Sequence, residues 1–177
     1  MTTRCRERIA TINHNSTVFS AAKYDSAQRM LDQLDVQTLL NSSSIQQLHS
    51  ALHSKGGHWR QVTLSFPRRD NDEELVHIAT TNAGIERQIH QLLEETQQAL
   101  VDRVEPLVVI PLFALHFMKL FPFLDGNRRI VILLIRRLMV LHGHPVAGYA
   151  DLESEFAATE KVFYRSLYQC SRPEADD

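Results

Sequence analysis

Apolar positions along this chain recur with two different periods, and the changes of period mark out its elements. Residues 1–20 show no sustained period and are rich in Thr, Asn and Ser, so they read as a loose lead-in. Ala27, Met30, Leu31 and Leu34 then fall at i, i+3, i+4 and i+7, which predicts a helix from about Asp25 to about Leu40. Asn41-Ser42-Ser43-Ser44 breaks that pattern and offers caps for a second helix carrying Ile45, Leu48 and Leu52. Lys55-Gly56-Gly57 stops it.

Gln61 to Phe66 alternates polar with apolar residues, the period of a half-buried strand, and Leu75 to Ile78 follows as a second short strand after a charged stretch. Together they predict one long-looped β-hairpin. Arg68-Arg69 against Asp70, Asp72, Glu73 and Glu74 reads most simply as its solvated tip.

The remainder is helical. Asn82 can cap a helix whose Ile85, Ile89, Leu92, Leu93 and Leu100 share a face. Residues 107–120 are strongly apolar and predict a largely buried helix, with Pro106 or Pro111 in its first turn, where a missing N–H costs little. Pro122 to Gly126 makes a sharp turn, and Asn127 can cap a second apolar helix that ends near His142, with Gly143 suited to the left-handed position after it. Asp151 can cap a last helix with Leu152, Phe156, Val162, Phe163 and Leu167 on its core face. The expected fold is mainly all-α with one small hairpin: a lead-in over 1–20, one domain over 21–170 and a tail over 171–177.

Composition changes this picture little. Apolar types at 44% and charged types at 23% of 177 residues are ordinary for one globular domain. A formal charge of −2 lacks the basic footprint that nucleic-acid binding requires. Cys5 and Cys170 form no disulfide framework and fit a reducing compartment. The first eight residues have no signal-like apolar core, and the apolar stretches at 107–118 and 130–140 are too short to span a bilayer, so a cytoplasmic protein without membrane contact is expected.

Candidate chemistry concentrates in Phe121-Pro122-Phe123-Leu124-Asp125-Gly126-Asn127-Arg128-Arg129, a turn that opens a helix. A helix start presents unpaired backbone N–H groups and the positive end of the dipole, and Gly126 lets a ligand approach the backbone closely. Arg129 adds a charged fork able to grip phosphate by two hydrogen bonds, and Asp125 can help hold a divalent cation. His116, on an apolar helix, reads as a satisfied core residue. It lies five residues before Phe121, so on a continuous helix it points roughly 140° away. Arg136-Arg137 read as dipole partners or solvated ends, and His142 and His144 as helix-end residues without metal-ligand spacing.

The stretch from Phe121 resembles the signature of the Fic family, His-Pro-Phe-x-Asp/Glu-Gly-Asn-Gly-Arg-x-x-Arg. Pro122, Phe123, Asp125, Gly126, Asn127 and Arg129 fall on matching positions. Phe113 to Phe117 is similar to the helix before that motif. Gly143, Leu152-Glu153 and Phe163-Tyr164 are similar to the segment after it. Trp59 to Val62 and the hairpin sit where the family has its target-docking flap. The similarity spans about residues 45–170.

The resemblance implies a helical Fic-like (Fido) domain that transfers the AMP of ATP to a protein hydroxyl. The motif histidine would take the proton, the acid would help bind Mg²⁺, and the Gly-Asn-x-Arg run would cradle phosphates. On this chain that assigns phosphate or nucleotide binding to Asp125, Gly126, Asn127, Arg128 and Arg129, with Mg²⁺ reached from Asp125 through the phosphates. It assigns docking of a protein partner to Val62, Thr63, Leu64, Val76 and His77.

Three positions depart. Phe121 replaces the histidine, Arg128 replaces the second glycine as in the similar Gly-Asn-Lys-Arg variant of the phosphate-transferring Doc branch, and Ile132 replaces the second arginine. The family's inhibitory Ser/Thr-x-x-x-Glu-Gly/Asn pattern is also missing. The expectation is a degenerate Fic domain, a pseudoenzyme or interaction protein that keeps its phosphate loop. The alternative is an active adenylyl- or phosphotransferase with altered chemistry, its base supplied elsewhere.

Overall fold

A computed structural model describes residues 20–53, 56–62, 65–70, 73–78, 84–159, 162, 165 and 166. Its helices are α1 (Ser20–Leu31), α2 (Val36–Leu39), α3 (Ser42–Leu52), α4 (Ile85–Val101), α5 (Pro106–Leu120), α6 (Asn127–Leu141) and α7 (Leu152–Ala158), with a 3₁₀ turn at Pro145–Gly148. Strands β1 (Ser65–Asp70) and β2 (Glu73–Ile78) pair antiparallel. No described helix is long and apolar enough to cross a membrane.

The single helix expected over 25–40 is two. Asp35 interrupts it, accepting the Thr38 N–H at 2.8 Å and so capping α2 in place of continuing α1. Asn41 caps α3 as expected, accepting from the Ser43 N–H. Ala27, Leu31, Leu39, Ile45 and Leu48 from these three helices are all buried.

The hairpin forms, but in a different register along the chain. β1 begins at Ser65, four residues after the expected start, and runs into the charged stretch to pair Asp70 with Glu73. Val62 lies before the strand in a bend, and Thr63 and Leu64 lie outside the described residues. Backbone pairing closes tightly there, so charge alone did not define the loop. Val76 and His77 of β2 pair with Pro67 and Phe66.

Helix α4 packs on α5, and α5 on α6. Ile85, Ile89, Leu92, Leu93, Ile110, Phe113, Phe117, Ile130, Val131, Leu133, Leu134 and Leu138 make the core between them. Gly84, with φ +85°, holds the cap position before α4, while Asn82 lies outside the described residues. In α5, Pro106 occupies the first turn and Pro111 lies inside the helix. The largely buried helix expected here is buried on one face: Val109, Ile110, Phe113, Ala114, Phe117 and Met118 are covered, while Leu107, Val108 and Leu112 are about half exposed, and so is the nearby Val104. His116 is exposed as well, which corrects its reading as a core histidine. Its face of α5 looks away from the packed side that carries Phe113 and Phe117.

Helix α6 ends with Gly143 at φ +88°, in the expected left-handed position. Arg137 donates two hydrogen bonds to the Leu34 carbonyl, at 2.7 and 3.2 Å, and Arg136 donates one to Gln28 at 3.3 Å. These arginines tie α6 to the end of α1, a tertiary role and not simple solvation. Asp151 caps α7, but that helix buries no residue; Phe156 is half-buried, Val162 is exposed, and Phe163 and Leu167 lie outside the described residues.

Candidate functional site

The turn between α5 and α6 is held in shape from several directions. Phe121 ends α5 in the left-handed region, φ 47° and ψ 61°, an uncommon conformation for a bulky residue. That bend turns its carbonyl and those of its neighbours toward Arg60, whose side chain is 2% exposed. Arg60 Nε donates to the Phe121 carbonyl at 2.8 Å, Nη2 to Leu120 at 3.2 Å and Nη1 to Val62 at 2.6 Å. Its backbone N–H donates to the Pro122 carbonyl at 2.9 Å. One buried guanidinium thus closes the C-terminus of α5 and ties the turn to the segment entering the hairpin.

Asn127 does the same from the other side. It is not the cap of α6, as expected, but its first residue, with Gly126 as the cap at φ +69°. The Asn127 side chain is 1% exposed. It accepts the Phe123 N–H and donates to the Phe123 carbonyl, both at 2.9 Å. One N–H and the oxygen of its buried amide are thus engaged in closing the turn. Helix α6 begins with the Ile130 N–H bonded to the Gly126 carbonyl at 3.1 Å. The preceding N–H groups of the first turn have no partner inside the helix.

Beneath the turn lies a stack of rings. Phe123 is fully buried, with the His49 ring parallel to it at 3.8 Å and Trp59 tilted against it at 4.8 Å. His53 stacks on the outer side of His49 at 4.7 Å. His49 lies in the last turn of α3 and His53, four residues on, is the residue that caps its end. His49 Nδ1 accepts the Gly57 N–H at 2.9 Å, and Nε2 donates to the Asp125 carbonyl at 3.3 Å and lies 3.6 Å from Asp125 Oδ1. His53 Nδ1 lies 3.7 Å from the same carboxylate oxygen, and its Nε2 is buried without a hydrogen-bond partner among the described residues.

The electrostatics follow from this packing. The His49 N–H chiefly, helped by the charges of His53, His49 and Arg129, holds the Asp125 carboxyl below its ordinary range. Burial is the main force pushing the His53 imidazole below its ordinary value, and His49, Arg129 and Lys23 push the same way. The Asp125 carboxylate opposes them. Asp125 therefore stays ionised beside an imidazole held toward its neutral form. Arg129 stands within electrostatic reach of both, while Arg128 and Arg129 are half-buried on the first turn of α6.

His49, His53 and Asp125 present one ligand atom each, all within 4.8 Å of one another. A metal at that point needs a lone pair on His49 Nε2, but the Gly57 N–H facing Nδ1 fixes the proton on Nε2. The trio therefore fits a hydrogen-bonded cluster and not a transition-metal site. It fits Mg²⁺ no better, because that cation takes oxygen ligands and the donors grouped around Asp125 are imidazoles.

The turn residues Asp125 to Arg129 thus come together as expected, with Phe121 at their entrance and no imidazole on that residue. The two histidines were not singled out from the sequence. Their signal was present as a pair spaced i, i+4, but nothing in it indicated that Asp125, 76 positions after His49, would close over them.

Among curated proteins no match is found. Among solved structures, a Fic family protein from Desulfovibrio desulfuricans G20 is similar with a TM-score of 0.66 and 20% identity, over 80% of this chain and 42% of that one. A Fic domain containing signaling protein from Bacteroides thetaiotaomicron VPI-5482 gives 0.62 and 18%, over 69% and 47%. The N-terminal Fic domain of the VirB-translocated effector Bep8 from a Bartonella species gives 0.52 and 12%, over 73% and 70%. The chain thus spans less than half the length of the first two, and at these identities the likeness is one of fold. The model of the Fic/DOC family matches residues 39–139, more than half of the sequence and all of the turn with its supports, and the chain belongs to that family.

Proposed function

We propose that this chain is a degenerate Fic domain that binds the phosphates of a nucleotide, ATP or a relative, at the start of α6, and that does not use the family's motif base. The observation that carries this reading is the turn itself. Gly126 caps the helix at φ +69°, Arg128 and Arg129 supply charge on the first turn, and Asn127 and Arg60 hold the backbone in place before any ligand arrives. A site organised in advance loses little on binding.

Phe121 cannot accept a proton, so hydroxyl activation at that residue is closed. The chain is then either a pseudoenzyme, whose output is nucleotide-dependent binding of a protein, or a transferase with its base elsewhere. Partner docking is supported by the hairpin. A two-stranded sheet keeps two outer edges, and β2 is the better one for an added strand, because Pro67 in β1 has no N–H to give.

The test is calorimetric titration with ATP, with and without Mg²⁺, on the unaltered chain and on Arg129→Ala. Binding that survives removal of Mg²⁺ and is lost in Arg129→Ala is the expected result. Binding that needs Mg²⁺ returns Asp125 to the role of metal ligand. No binding in either condition leaves an interaction module that never meets a nucleotide.

A further inference from the structure

Helix α5 is apolar on two faces. The buried one, centred on Phe113 and Phe117, packs against α4 and α6. On the opposite arc Leu107, Val108, Pro111 and Leu112 are exposed and Leu115 is half-buried, with Val104 exposed just before the helix. Polarity returns to that arc only at its far end, with His116 and Lys119. A helix at the surface of a monomer ordinarily sets charged and polar side chains where this one sets valine and leucine.

The size of the patch gives this weight. These side chains, most of them about half exposed, present on the order of 400 Å² of apolar surface, the level at which a contiguous patch on a soluble protein marks an interaction site. Two such faces with their rims, laid together, bury on the order of 1,200 Å² in total, the lower end for a stable protein pair.

The order of the residues points to the occupant. The arc is symmetric about the Pro111–Leu112 bond: Val108 stands as far before it as Leu115 after it, Leu107 as far as His116, and Val104 as far as Lys119. Two copies of α5 laid antiparallel about that bond set Val108 on Leu115 of the second copy at both ends, with Pro111 and Leu112 in the middle. A two-fold pair uses one patch on both molecules, so the patch must complement itself in this way. Charge agrees. The exposed segment Asp102, Arg103 and Glu105 around Val104 is net acidic, and the same pairing brings Lys119 of the second copy to it. Antiparallel helices also set their dipole ends in favourable opposition, whereas a parallel pair brings the two acidic ends together.

We propose that α5 is the seam of a homodimer, in which two copies of this chain pair antiparallel through Val104, Leu107, Val108, Pro111, Leu112 and Leu115. None of these residues belongs to the turn at 121–129, so the dimer and the nucleotide-binding reading stand or fall separately.

The experiment is sedimentation equilibrium of the whole chain over a concentration series reaching about 200 µM, above the range expected for so small an interface. The mass should pass from one chain to two with a dissociation constant of about 1–100 µM. Val108→Glu sets a charge against the apolar seam in both copies, and should weaken the association at least about 100-fold. Leu115→Lys should do the same. Because both positions lie on the outer arc, each variant should keep the circular dichroism and melting of the unaltered chain. Mixed in equal amounts, the two variants should associate again, since the antiparallel register sets the new carboxylate of one against the new ammonium of the other. A chain that stays monomeric throughout overturns the proposal and leaves the face to a different protein. Association that Val108→Glu leaves unchanged uses another surface and overturns it as well. Loss in both variants without recovery on mixing overturns the antiparallel two-fold pairing.

Discussion

His53 Nε2 stands where Gly126 has no side chain, so the two residues fit only because one of them lacks a β-carbon. Gly126 is also at φ +69°, where an L residue is strained. Gly126→Ala should therefore lower stability by at least about 1–2 kcal/mol from the backbone conformation alone, with displacement of the His53 ring adding to it. Urea denaturation of the variant checks the magnitude. A cost within error of zero would mean that the turn and α3 separate easily.

Asn127 satisfies both backbone groups of Phe123 in a buried place. Asn127→Ala leaves an N–H and a carbonyl without partners, at about 1–3 kcal/mol each, so a total loss of about 2–6 kcal/mol is expected. Asn127→Asp keeps the acceptor and loses the donor, and should fall between. If Asn127→Ala melts with the unaltered chain but loses ATP, its side chain is a ligand contact and not a staple.

Arg60→Lys tests the tie between the turn and the hairpin entrance. A lysine has one nitrogen to offer three carbonyls that the guanidinium reaches together. The variant should lose about 2–3 kcal/mol, and hydrogen exchange at residues 120–123 should quicken more than in the α4–α5 core.

Acid should weaken the domain in two steps. His53 has a lowered proton affinity in the folded state, so the unfolded chain binds its proton first. That contribution to stability is fully present above the ordinary histidine value of 6.5 and is lost as pH falls through the lower folded value. Asp125, also lowered, contributes above the ordinary 3.8 and loses its share only as pH falls further. His53→Gln should flatten the first fall and leave the second. Chemical denaturation midpoints from pH 8 downward separate them, and an unchanged profile in His53→Gln would place the first fall elsewhere.

Phe121→His puts an imidazole back at the motif position. The left-handed backbone there, φ 47°, suits histidine better than it suits a β-branched residue. Pyrophosphate release should appear or rise, and adding Arg128→Gly should raise it further if Arg128 obstructs adenylyl geometry. Arg129→Ala is the control and should abolish binding and turnover together. A folded Phe121→His that neither binds nor turns over ATP would mean the cradle has decayed along with its base.

Much of this domain was legible in local pattern. The stripe of Ile85, Ile89, Leu92 and Leu93, the cap at Asn41 and the left-handed Gly143 each follow from forces acting within a few residues, and each appears where the pattern put it. The errors share a cause as well. Asp35 was free to cap a new helix because α1 found its tertiary partners without continuing, and β1 pairs through the charged stretch because backbone hydrogen bonds outweigh side-chain polarity.

By itself the sequence determined that a Gly-containing turn links two apolar helices, that its arginines follow on the first helical turn, and that Phe121 carries no base. Those are consequences of residue type and spacing, which covalent order preserves. Only the tertiary structure decided that Asn127 faces inward to Phe123, that Arg60 gathers the carbonyls at the end of α5, and that His53 meets Gly126 and Asp125. Each of these contacts but the first joins residues some 60 to 73 positions apart, brought together by the packing of α3 and the turn around Phe123. No periodicity within a single element can encode such a meeting, because it depends on which faces of different elements are buried against each other.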